Sequence, residues 1–148
     1  MGCNRWVLFR RTFELPAVAA SAARARVTVD GRYKLYVNGG FVGRGPCRSS
    51  PAYQRVDSHD IADHLKPGAN VVAMLVHVYG VDMAWYQAAH DVWQRVFGDG
   101  ALLFEAQIEC GAQATTLLAD ESWRWLEGSA WRRDTPRSGW GQDFIEDF

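Results

Sequence analysis

Long apolar runs are missing from this chain. None approaches the ~20 residues that a membrane-spanning helix needs, and no apolar leader follows Met1. Cysteine is scarce: Cys3, Cys47 and Cys110 are an odd number, lie far apart and share no paired spacing. That argues against a disulfide framework and against a zinc site, and it predicts free thiols in a reducing compartment, the cytoplasm. Met1-Gly2-Cys3 invites a lipidation reading. It fails, because Trp6 stands where a myristoylation signal needs Ser or Thr, and Cys3 has no hydrophobic stretch before it. No internal repeat is visible and nothing marks a second domain, so residues 1–148 are read as a single domain with enough chain for a sizeable core.

Net charge is nearly absent as well, at −1, but it is unevenly spread. Residues 1–55 carry ten Lys or Arg against Glu14 and Asp30, whereas the remainder carries six against fifteen acids. Basic strands with interleaved rings are one signature of nucleic-acid binding. Two halves of opposite sign that pair within one sandwich are the simpler account. What is abundant is aromatic: seven Trp, seven Phe and five Tyr, residues that serve cores and also flat ligands such as sugars. The 48% hydrophobic and 22% charged content is that of a soluble globular protein.

The clearest local structure runs from Asp30 to Gly45. Tyr33, Leu35 and Val37 alternate with Arg32, Lys34 and Tyr36, the period of a half-buried strand. Asn38-Gly39 follows, two residues that tolerate the positive φ of a type I′ hairpin turn, and Phe41-Val42 starts the return. Around it the sequence predicts strands over Trp6–Phe13, Arg26–Asp30, Tyr53–Ser58, Ala101–Glu109 and Thr115–Ala119, with a further short strand over Glu121–Trp125. Val71–Tyr79 is apolar almost throughout and reads as a mid-sheet strand buried on both sides. Ala17–Ala25 lacks a bulky apolar stripe and reads as a loop or linker. Ser58 is placed to cap a helical turn over Asp60–Leu65, and Lys66–Asn70 is a turn. Many short strands with regular turn signals and little helix indicate an all-β, antiparallel sandwich.

Several segments resemble the N-terminal β-sandwich region of bacterial α-L-rhamnosidase-type glycoside hydrolases. Phe9-Arg10-Arg11-Thr12-Phe13-Glu14-Leu15-Pro16 is similar to the family's opening strand, and Asp30 through Gly43 to its hairpin. Leu65 through Val71 resembles the turn before the core strand, Trp85-Tyr86 the aromatic pair after it, and Asp120–Trp123 with Trp131–Arg137 the closing segments. The resemblance spans almost the whole chain. It implies a jelly-roll of the galactose-binding-like type that precedes a separate helical barrel, with catalysis by paired carboxylates belonging to that barrel. Some sandwiches of this family bind rhamnose with calcium. Two departures stand out: Ala84 where many relatives carry Gly, and Ser49-Ser50-Pro51-Ala52 where many carry a Trp.

Among candidate sites, the long stretch from Gly80 to Gly100 ranks first. Asp82, Trp85, Tyr86, His90 and Trp93, with Gln87 and Asp91, combine flat rings with short polar groups, the mixture that carbohydrate recognition needs. The plainer account has the same rings plugging the sandwich or docking on a neighbouring domain. Asp57, His59, Asp60, Asp63 and His64 resemble a metal cluster, for which calcium is better suited than a transition metal, but a capped, solvated turn explains them too. Ser58-His59-Asp60 is no catalytic triad, because sequence neighbours do not converge as nucleophile, base and orienter do. Gly43-Arg44-Gly45 lacks the third glycine of a dinucleotide loop. No two carboxylates are singled out as a glycosidase pair, and His77 reads as a hydrogen-bonded core residue.

The functional expectation is a non-catalytic accessory module that braces the downstream catalytic domain of the same polypeptide; binding of rhamnose- or galactose-containing glycans at the long loop is the sharper form of the same module reading, and bracing the simpler one. A stand-alone lectin is the alternative, ahead of a small glycosidase or a nucleic-acid-binding β domain.

Overall fold

A computed structural model describes residues 4–47, 53–78, 100–133, 137–138 and 141–142. The described chain is an antiparallel jelly-roll β-sandwich. One sheet has five strands in the order β4-β3-β6-β1-β9 and the facing sheet has four in the order β5-β2-β7-β8. The strands are β1 Arg5–Leu15, β2 Ala22–Val29, β3 Arg32–Val37, β4 Gly40–Gly45, β5 Asp57–Asp60, β6 Gly68–Val78, β7 Leu102–Cys110, β8 Gln113–Leu118 and β9 Arg124–Glu127. A small pair, β10 Arg137–Ser138 and β11 Gly141–Gln142, follows.

The hairpin forms where the alternation predicts it. Tyr33, Leu35 and Val37 face inward and are at most 2% exposed. Asn38 and Gly39 both take positive φ, 49° and 82°, as a type I′ turn requires. Asn38 is more than a turn residue. Its side chain donates to the carbonyl of His64 and to Oδ1 of Asn70, and accepts from the amide of Val71. Asn70, 1% exposed, in turn accepts from the Lys66 amide and donates to the Lys66 and Gly68 carbonyls. The hairpin turn is thus laced to the start of β6.

The core lies between the sheets. Val72, Met74, Val76 and Val78 of β6 project into it, together with Leu35, Val27, Phe104 and Ile108, and each such side chain contributes roughly 1.5–3 kcal/mol of burial. Trp123 closes one side, edge-on to Phe104 at 5.1 Å, with its indole N–H donating to the carbonyl of Leu118 at 2.7 Å.

Five expectations change. The strand expected over Tyr53–Ser58 is instead β5 at Asp57–Asp60. The alanine-rich run is not all loop: Ala22–Ala25 begins β2, paired with β7 on one side and β5 on the other. Ala25 and Ala106 stand opposite each other at 0% exposure, and small side chains there leave room for the larger residues of the five-stranded sheet. Ser58 is not a helix cap. It pairs with Arg26 inside β5, and Asp60 instead accepts the Ala62 amide at the short 3₁₀ turn Ala62–His64. The strand expected over Glu121–Trp125 is β9, which begins three residues later, because Asp120 folds its carboxylate onto the Ser122 amide in a tight turn. Finally, β6 is central but buried mainly on one side. Val71 is 36% exposed, and Ala73 and Leu75 are half-buried on the outer face. Cys47 is exposed and Cys110 buried, neither in a disulfide; Cys3 lies outside the described residues.

A Cβ at Gly39 would meet nothing within 4 Å, so the cost of substitution there is conformational alone. Gly39→Val should lower unfolding stability by about 1–3 kcal/mol in urea denaturation. Gly39→Asn, which tolerates the left-handed region, should lower it less. Equal effects would mean that the turn does not depend on positive φ.

Candidate functional site

The five residues first favoured for sugar contact, Asp82, Trp85, Tyr86, His90 and Trp93, lie outside the described residues, as do Gln87 and Asp91. The structure does place Val78, which comes before that stretch, and Gly100, its last residue. Val78 closes β6 and Gly100 precedes β7, and both line an apolar cleft of ≈ 290 Å³ with Val7, Phe9 and Trp125, while Arg5 sits at its edge. Trp125 pairs across from Phe9, so its ring leans to the inner side of β9, the fifth strand that the four-stranded sheet leaves uncovered; it is 65% exposed.

A second feature occupies the outer face of the five-stranded sheet. Trp6, on β1, is sandwiched between His77 of β6, with ring centres 4.2 Å apart, and Trp131, 4.7 Å away on the other side. Both faces of this indole are therefore taken. Asn4 is fully buried, and its amide N–H donates to the carbonyl of Arg132 at 2.8 Å, so its oxygen faces His77 and receives the Nε2–H at 2.8 Å. His77 is thus a core residue, as the sequence suggests. Burial, and then the nearby Arg32 guanidinium, push its pKa down to about 4.

Beside this stack a hollow of ≈ 620 Å³ is lined by Trp6, Arg32, Lys34, Arg44, Leu75 and His77, with Cys47 at its margin. Its charged lining is entirely cationic. A third hollow, by Thr12, Asn38 and Lys66, has Glu14 as its acid. None of the three carries the two facing carboxylates that glycoside hydrolysis needs.

The Asp57–His64 group is dispersed. Asp57 and His59 turn inward at the edge of the sandwich, where the Tyr33 hydroxyl donates to Asp57 Oδ2 and receives Nε2–H of His59, both at 2.7 Å. Burial, then the Asp57 carboxylate, raise the Tyr33 pKa. Gly43 and Gly45 on β4 make the room, since a Cβ there would collide with His59 and Asp57. Asp60 serves the 3₁₀ turn, and the His64 carbonyl serves Asn38. Among the described residues no group of three His, Cys, Asp or Glu is placed to hold a metal ion, so calcium has no described cage here. Sequence reasoning missed this Tyr–Asp–His chain and the Trp–His–Trp stack, because each gathers residues from distant strands.

Comparisons with known proteins bear on this geometry. The sequence profile of the alpha-L-rhamnosidase N-terminal domain matches residues 18–135. The chain is similar to the GH78 family rhamnosidase of Bacillus sp. GL1, at 36% identity and a TM-score of 0.79 over 99% of this chain. It is similar to the α-L-rhamnosidase of Aspergillus terreus at 25% identity and a TM-score of 0.69 over 85% of this chain. A β-galactosidase of Arthrobacter sp. (strain B7) is 30% identical over 90 residues, 57% of this chain. The chain spans 14% of the Bacillus enzyme, 15% of the Aspergillus enzyme and 8% of the β-galactosidase.

The His77 pKa makes a pH prediction. The unfolded imidazole titrates near 6.5 and the folded one at about 4, so the unfolded state binds the proton first. The neutral-imidazole contribution is fully present above pH ~6.5 and is lost as pH falls toward ~4. Stability should drop by about 2 kcal/mol between pH ~7 and pH ~5. Denaturation of His77→Gln should show a shallower slope across that window; an identical slope would mean that His77 is not its source.

Proposed function

The chain belongs to the alpha-L-rhamnosidase N-terminal domain family, and on that premise we propose that it is the non-catalytic accessory module of a longer glycoside hydrolase, bracing a catalytic domain in the same polypeptide. One observation carries this reading: 99% of the chain superposes on 14% of a rhamnosidase. Such a small share of a long enzyme is the role of a domain that supports chemistry performed elsewhere. The cationic and apolar linings of the described hollows, without a facing carboxylate pair, support the same reading. Thermal unfolding of the full-length gene product with and without residues 1–148 tests it. Removal should lower the melting temperature of the remainder while the isolated chain hydrolyses no aryl rhamnoside. Rhamnoside turnover by the isolated chain, lost on mutating one of its carboxylates, would overturn it.

Sugar contact by the stretch from residue 80 to 100 is a second reading. It is favoured by that stretch's rings and short polar groups, and by the apolar cleft that Val78 and Gly100 line beside the exposed Trp125. Titration with rhamnose and galactose, with and without calcium, should then quench tryptophan fluorescence. Trp85→Ala should abolish the response with little change in melting temperature. A response that survives Trp85→Ala would remove that ring from the site.

A further inference from the structure

We propose that the outer face of the five-stranded sheet docks an acidic, partly apolar protein surface supplied by the rest of the same polypeptide. This deepens the accessory-module reading and rests on it. Three neighbouring cross-strand rows on that face make up the surface, with Thr12–Val71 and then Glu14–Ala69 beyond them toward the far end of β1. The first joins Arg32, His77 and Trp6. The second runs across all five strands as Arg44, Lys34, Leu75, Leu8 and Leu126. The third joins Phe41, Tyr36, Ala73, Arg10 and Arg124.

Two features of these rows point to a partner. First, their charge has one sign. Arg10, Arg32, Lys34, Arg44 and Arg124 are all exposed, and no carboxylate shares the rows. The opposite sheet differs: there Arg24 pairs across from Asp60, and Arg26 from Glu105. Second, the outward positions of β6 are apolar where a solvent-facing strand would alternate with polar residues. Leu75 shares its row with Leu8 and Leu126, and Ala73 with Phe41, and these three are 40%, 67% and 53% exposed. Exposed aliphatic residues gathered between cations fit a protein surface.

The same features choose among occupants. Trp6 offers a sugar no open ring face, since His77 and Trp131 cover both of its sides, and the other two rings of the rows, Tyr36 and Phe41, are engaged edge to face with each other at 5.6 Å. A second copy of this chain, joined face to face, would set five cations against five, which like-charge repulsion opposes. An acidic face satisfies the charge, and a chain that covers 14% of the Bacillus rhamnosidase corresponds to one small part of a much longer polypeptide.

The experiment mixes this chain with the separately produced remainder of the full-length gene product and measures the dissociation constant. Lys34→Glu/Arg44→Glu/Arg124→Glu should weaken docking by roughly tenfold or more, and added salt should weaken the wild-type interaction. Arg24→Ala/Arg26→Ala, on the opposite sheet, should dock as wild type. Oxidative footprinting gives a second measurement that needs no separated remainder: Phe41 and Leu126 should be modified more slowly in the intact protein than in the isolated chain. Wild-type docking by the charge-reversed variant, or equal modification in both contexts, overturns the proposal. So does binding of the chain to polygalacturonate or single-stranded DNA that the charge reversal abolishes while docking to the remainder persists. If removing residues 1–148 leaves the remainder's melting temperature unchanged, the accessory reading falls too. If removal lowers it and the variant docks normally, the face assignment alone falls.

Discussion

The buried amide of Asn70 holds together parts of the chain that have no other reason to meet. Its oxygen accepts from the Lys66 amide and from the Asn38 side chain, and its nitrogen donates to the carbonyls of Lys66 and Gly68. At 1% exposure, each of these groups would cost on the order of 1–3 kcal/mol if left without a partner. The network decides where β6 begins and where the β3–β4 turn sits against it. Since β6 is the middle strand of the larger sheet, its register sets those of β1 and β3, and through β1 that of β9. A shift by one residue would turn Met74 outward and His77 into the core.

Much of this was legible in the sequence wherever the cause was local. Alternation and turn chemistry within sixteen residues specify the Asp30–Gly45 hairpin, and the structure matches it, Asn38 and Gly39 at positive φ included. The run Val71–Tyr79 announces a central strand. The failures share a different cause. Ala22–Ala25 has weak strand propensity of its own and is a strand because β7 and β5 flank it, a long-range effect with no mark in the local pattern. The late start of β9 follows from the Asp120 turn, whose hydrogen bonds to Ser122 and ion pair with Arg11 a propensity scan does not weigh.

The candidate site was legible only as composition. Rings and polar groups between residues 80 and 100 mark an unusual stretch, and the described structure contributes the cleft that Val78 and Gly100 line. Residue spacing gave no warning of the Tyr33–Asp57–His59 chain, whose members come from both sheets and meet because Gly43 and Gly45 leave space at the edge. The Asp and His residues that looked like a metal cluster are separated by the pleat: alternate residues of β5 point to opposite sides, and Asp60 is drawn off to the 3₁₀ turn.

The two-signed charge of the chain has a partial structural answer. If the halves merely neutralised each other, cations and acids would alternate on both outer faces. They do so on the four-stranded sheet, where β2 from the basic half lies between β5 and β7 from the acidic half. In the larger sheet β1, β3 and β4 all come from the basic half, while the outward residues of β6 are apolar or histidine and those of β9 are Arg124 and Leu126. Topology therefore gathers Arg10, Lys34, Arg44 and Arg124 on one face of the described strands and places beside them the apolar residues that made β6 read as doubly buried. Among the described residues no carboxylate shares those three rows, so like charges there repel one another and the leucines between them stay open to water. Against an acidic protein surface both become favourable at once, which is the physical reason to assign that face to docking.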